Sequence, residues 1–146
     1  MEWYQLDKSR IVLEYLRVTK SYPDFKLIKI DKNIAWEGKV NDIPEGLTEP
    51  PLKIRLIYPD SYPAAPLKVQ PIEPEFPDDL WGHDWHRWKE GYLCYIRPKS
   101  WEITYTAADV IDKIRIWYFN FLAYKSKMVE KMPDIGKAEI NFSKKE

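Results

Sequence analysis

Residues 52–69 read Leu52-Lys53-Ile54-Arg55-Leu56-Ile57-Tyr58-Pro59-Asp60-Ser61-Tyr62-Pro63-Ala64-Ala65-Pro66-Leu67-Lys68-Val69, and this stretch decides the fold. Leu52, Ile54, Leu56 and Tyr58 recur at every second position, with Lys53 and Arg55 between them. That alternation is the pattern of a half-buried strand. Pro59, Pro63 and Pro66 then force a turn, because proline fixes φ and has no N–H for a ladder. Residues 67–70 open a further short strand. The connection is too short to hold a crossover helix, so the two strands run antiparallel.

Upstream, residues 25–30 and 34–40 read as two more strands around Asp31-Lys32-Asn33. Ile34, Trp36 and Val40 share one face. A loop with Pro44, Gly46, Pro50 and Pro51 leads from them to Leu52. Residues 3–20 predict a helix, with Val12 and Leu16, and Ile11 and Tyr15, four apart as its apolar positions. Ser21-Tyr22-Pro23-Asp24 ends it. Downstream, 71–105 carries no regular signal, and a loop of that length usually bears function. Thr106 opens a long helix over 106–127, with Asp109 three residues on completing a capping box. Val110, Ile111, Ile114, Trp117, Phe121 and Leu122 follow at helical spacing.

The expected fold class is α+β: an N-terminal helix, a four-stranded antiparallel meander sheet, a long loop and a long C-terminal helix. One domain is expected over 1–127, followed by an extension over 128–146 that frays into a lysine-rich tail.

The chain has 146 residues, 45% of them hydrophobic, enough for one core. Lys and Arg number 23, as do Asp and Glu, so no net field draws in nucleic acid or an anionic membrane. No run of about 18 apolar residues is present, so no membrane span is expected. The opening MEWYQLDKSR lacks the apolar core of a secretory signal. A single cysteine excludes an internal disulfide and a cysteine-rich zinc site. The expected compartment is a reducing cytoplasm, where a lone cysteine is either a buried small hydrophobe or a reactive thiol. Neither a glycine-rich phosphate loop nor a G-x-S-x-G elbow occurs. His83, Asp84, His86 and Cys94 form too thin a ligand set for a metal, so no metal and no cofactor is expected.

The chemistry concentrates in residues 80–101, LWGHDWHRWKEGYLCYIRPKSW. Cys94 follows Gly91-Tyr92-Leu93 and precedes Arg97, Pro98 and Lys99. Cations nearby favour the thiolate, although they are equally read as solvated loop charges. A small thiolate fraction suffices for exchange with an activated acyl donor, whereas attack on an amide needs a paired base. Trp81, Trp85, Trp88 and Trp101 surround the segment, either as core or as partner anchors.

The stretch Tyr58 to Val69 resembles the strand and turn of ubiquitin-conjugating enzymes, with an aromatic-Pro pair, a Tyr-Pro pair and a further Pro leading into Lys68-Val69. Gly91-Tyr92-Leu93-Cys94 is similar to the active-site segment of that family. Trp101 follows, and Thr106 opens the long helix five residues later. The resemblance covers residues 3 to 124 and rests on three motifs in register. It implies Cys94 as nucleophile, with Gly91, Pro98 and Trp101 shaping the loop around it. It also implies a leading helix that meets an activating enzyme, with Lys8, Arg10 and Arg17 as contacts or else a solvated face.

Some features depart from the family. His86 stands eight residues before Cys94, where the family carries an Asn that donates to the oxyanion. His86 is either a donor in its place, through a ring N–H, or a packing histidine. The gap from Cys94 to Trp101 is one residue short, Ile96 replaces an acidic residue, and little chain follows the long helix. These departures resemble the bacterial branch of the family, found in antiphage operons of the CBASS type or beside ubiquitin-like conjugation genes. That branch implies as partners an activating enzyme, a ubiquitin-like modifier or the C-terminus of a cGAS-like nucleotidyltransferase, and a target lysine. Two rival readings are a non-catalytic protein-binding module of the same fold and a cysteine hydrolase using a Cys94/His83 or Cys94/His86 dyad.

Overall fold

The computed structural model describes residues 2–76, 85–88 and 90–133. Helices α1 (Trp3–Leu6) and α2 (Lys8–Ser21) lead into strands β1 (Lys26–Ile30), β2 (Asn33–Val40), β3 (Leu52–Ile57) and β4 (Lys68–Glu73), and α3 (Ala107–Lys125) follows a long loop. The strands form one antiparallel sheet in chain order, so the meander and the α+β layering are as expected. β4 runs three residues beyond the expected 67–70. Among the described residues no helix is long and apolar enough to cross a membrane.

Leu52, Ile54 and Leu56 of β3 are fully buried on the inner face, in register with Trp36 of β2 and Val69 of β4. α3 lies within the core, burying Val110, Ile111, Ile114, Trp117, Phe121 and Leu122. Its cap is reciprocal: the Thr106 N–H donates to Asp109 Oδ2 at 2.8 Å, and the Thr106 side chain accepts from the N3 backbone. This arrangement satisfies donors that the helix cannot bond itself.

The expected helix over 3–20 is broken at Asp7. That residue leaves helical geometry, ends α1, and accepts the Arg10 N–H through its side chain to start α2. The apolar positions also need correction. Val12 and Leu16 are 55% and 59% exposed, and Leu13 and Tyr15 are exposed with them. The inward residues of α2 are Glu14 and Val18.

Glu14 turns inward because polar partners await it. Its Oε1 accepts from the Tyr58 hydroxyl at 2.7 Å and from the Ala107 N–H at 2.8 Å. Its Oε2 accepts from the Tyr62 hydroxyl at 2.6 Å and from Arg10 Nε at 2.9 Å. Trp36 Nε1 donates to the Tyr58 hydroxyl at 2.9 Å. The buried carboxylate therefore joins α2, the end of β3, the turn beyond it and the first residue of α3. A buried charge is tolerable only when it is bonded this completely.

Candidate active site around Cys94

The segment carrying Cys94 is a small hairpin laid beside β4. Arg87 and Leu93 form an isolated antiparallel bridge. Trp88 donates its N–H to the Tyr92 carbonyl, and Cys94 donates its own to the His86 carbonyl, both at 2.8 Å. The turn closes with the Gly91 N–H on the Trp88 carbonyl at 2.8 Å. Gly91 has φ +94, which a side chain would make costly. Leu93 fixes the hairpin to the sheet, its N–H donating to the Val69 carbonyl at 2.9 Å.

Leu93 and Tyr95 are buried, and Cys94 between them is half-buried. The Tyr95 hydroxyl donates to the Leu67 carbonyl at 2.7 Å, holding the residue after the thiol against the start of β4. The Cys94 Sγ lies 4.0 Å from the Ile96 carbonyl, a weak contact. Burial pushes the Cys94 thiol above its ordinary value. Arg97 and Lys99 are exposed and contribute nothing to that shift. The expectation that these cations favour the thiolate is therefore corrected: the shift runs the other way, through desolvation.

His86 and Cys94 meet through the main chain. His86 has φ +52, and its carbonyl accepts both the Cys94 N–H and Trp117 Nε1, the latter at 3.1 Å. Its ring turns to the C-terminal segment, with Nε2 2.7 Å from the Pro133 carbonyl. A carbonyl only accepts, so Nε2 carries the proton in this contact. His83, Asp84 and Trp81 lie outside the described residues, as does the tail from 134.

Beyond the thiol, Pro98 opens a single 3-10 turn over Pro98–Ser100, and Trp101 closes it. Trp101 Nε1 donates to the Pro63 carbonyl at 2.8 Å, and its ring packs near Tyr62 and Tyr105. The loop after Cys94 is thereby tied to the turn between β3 and β4. Trp85 packs on Phe121 and Tyr124 of α3, whereas Trp88 is 45% exposed. A groove of about 380 Å³ runs alongside, lined by Leu93, Tyr95, Ile96, Trp88, Pro66 and Pro98 among others.

The residues read as partner contacts separate. Lys8 and Arg17 are exposed on α2. Arg10 is turned inward and bonds Glu14, the Tyr62 hydroxyl at 2.9 Å, and the carbonyls of Ile103 and Tyr105. Its guanidinium is an internal clamp, not a free contact. The sequence reading missed Glu14, Tyr58 and Tyr62. The available signal was an Arg10/Glu14 pair one helical turn apart.

Among the described residues no group of three or more His, Cys, Asp or Glu side chains is placed to hold a metal. No family model matches the chain, and no curated protein matches it.

Proposed function

We propose that this protein is a ubiquitin-conjugating-type acyl carrier that takes an acyl group as a thioester on Cys94 and passes it to an amine. The observation that carries the reading is the setting of Cys94. The only cysteine of the chain is half-buried between two buried residues on a hairpin bonded to β4. It sits in the long loop between a four-stranded meander and α3, in the element order of that family. The resemblance in residues 58–69, 91–94 and 101–106 supports the same reading.

The chemistry is a transfer in two steps. The Cys94 thiolate attacks the carbonyl of a donor thioester. The donor C–S bond breaks, and the donor thiol leaves with the proton that Cys94 gave up. A target lysine amine, in its neutral form, then attacks the new thioester, an isopeptide bond forms, and Cys94 departs as thiolate and is reprotonated. A raised thiol pKa lowers the thiolate fraction but increases the nucleophilicity of each thiolate. The thioester carbonyl is activated enough to accept such a nucleophile, whereas an amide calls for an adjacent base. The His86 Nε2 proton rests on the Pro133 carbonyl, an arrangement that disfavours a Cys94/His86 hydrolase dyad. The bacterial resemblance names the donor as a ubiquitin-like protein or the C-terminus of a cGAS-like nucleotidyltransferase, in antiphage defence.

The test is a non-reducing gel after incubation with a charged activating enzyme, ATP and the candidate donor. A DTT-sensitive adduct should form, disappear in Cys94→Ala, and become a DTT-resistant ester in Cys94→Ser. If a demonstrably charged donor yields no adduct, the carrier reading fails and the protein-binding module replaces it.

A further inference from the structure

Residues 126–133 follow α3 directly. Ser126 caps it, Lys127 takes φ +65, and the Met128 N–H donates back to the Ala123 carbonyl at 2.8 Å. The chain thus reverses sharply and returns toward the Cys94 hairpin. Of residues 126–133, only Met132 and Pro133 are buried, while Val129 is half-buried and the rest are exposed. A space of about 560 Å³ adjoins this returning chain, lined by Trp85, by Tyr124 and Lys125 of α3, and by Lys127, Val129 and Glu130. The segment is seated at its far end and loosely packed along its length.

That seated end meets His86. The Pro133 carbonyl takes the Nε2 proton at 2.7 Å. The His86 carbonyl is meanwhile bonded to the Cys94 N–H, so His86 and Cys94 stand opposite each other across the hairpin. The N–H that would donate to an oxyanion at the Cys94 acyl group is therefore spent on the chain's own carbonyl.

The geometry points to residues 126–133 as an autoinhibitory strap, which withholds the His86 Nε2 proton from the Cys94 acyl centre until Met132 and Pro133 are unseated. The inference rests on the acyl-carrier reading. Only the ring needs to swing on release, because the backbone of His86 is held by two acceptor bonds at its carbonyl. The freed N–H then donates to the thioester oxygen as an amine attacks. That interaction strengthens as charge develops on the oxygen.

The test uses the full chain with Met132→Gln, which removes the apolar seat and keeps the length. His86→Ala and the double variant run beside it, and thermal unfolding checks that each folds. One readout needs no substrate. The chain has two histidines, so the His86 ring N–H signal can be assigned by nitrogen-15 NMR. It should be protected from exchange in the parent and lose that protection in Met132→Gln. The second readout is single-turnover discharge of Cys94, loaded from a glycyl-peptide thioester, to free lysine. Met132→Gln should speed discharge several-fold, and the double variant should show no such gain. Equal or slower discharge in Met132→Gln, or a gain that persists without His86, overturns the strap. A Cys94 that accepts no acyl group overturns the carrier reading instead, and the ring signal then decides the His86–Pro133 contact by itself.

Discussion

Gly38 faces the ring of Phe25 so closely that a methyl group at its Cα would stand 2.5 Å from the ring's Cγ. Phe25 is itself buried, so its ring has little room to yield. Gly38→Ala should destabilise the fold by about 1–3 kcal/mol through overpacking. Urea denaturation measures this, and an unchanged midpoint would show that the ring moves freely.

The Glu14 network predicts an ordered pair of effects. Glu14→Ala leaves Arg10 and the Ala107 N–H without their buried partner and should cost about 3–5 kcal/mol. Glu14→Gln keeps one carbonyl oxygen for the Tyr58 hydroxyl and the Ala107 N–H, so its cost should be clearly smaller. Equal losses for the two variants would mean that the charge on Glu14, and not its hydrogen bonds, holds the elements together.

Cys94 should alkylate slowly at neutral pH. Because burial raises its thiol pKa, the rate of reaction with iodoacetamide should rise through a midpoint above that of a free cysteine, about 8.5. A midpoint below that value would place a cation or base at the sulfur and refute desolvation as the controlling effect.

Alkaline pH should destabilise the protein through its buried tyrosines. Burial pushes Tyr22 and Tyr118 up to about 12, and raises Tyr58 and Tyr62 well above their ordinary value of 10.0. The unfolded chain loses these phenolic protons first and so binds fewer of them. The stability they contribute is intact below about pH 10 and falls as the pH climbs toward each folded-state value. Urea midpoints between about pH 9 and 12, followed with phenolate absorbance, should decline across this window. A flat profile would contradict the burial of these hydroxyls.

The sheet was legible because β3 alternates strictly and its proline turn leaves no room for a crossover. α3 was legible because Thr106 and Asp109 mark its start and the apolar spacing continues behind them. α2 misled, because spacing reports that one face is apolar without saying which face turns inward. Val12 and Leu16 satisfied the helical period and are nevertheless exposed. The inward choice went to Glu14, whose partners Tyr58, Tyr62 and Ala107 come from parts of the chain that local periodicity does not relate. The position of Cys94 in a loop could be read, but the direction of its pKa shift could not. Sequence places Arg97 and Lys99 near the sulfur in the chain, whereas burial depends on Leu93, Tyr95 and the hairpin packed beside β4. The His86–Pro133 contact spans 47 residues and had no local signal at all.

The Glu14 carboxylate also has a consequence for the order in which the protein is made. Glu14 leaves the ribosome before its partners, which follow at Tyr58, Tyr62 and finally Ala107. Until the last of these emerges, the carboxylate lacks its complete set of donors and stays better solvated by water than by protein. α2 can therefore dock fully only when the start of α3 has been synthesised, and the growing chain must carry the nascent sheet with one layer uncovered. Vectorial synthesis thus leaves this domain incomplete until the start of α3 has emerged. During that interval the inner face of β2 and β3, with Trp36, Leu52, Ile54 and Leu56, is what a chaperone at the tunnel exit would meet.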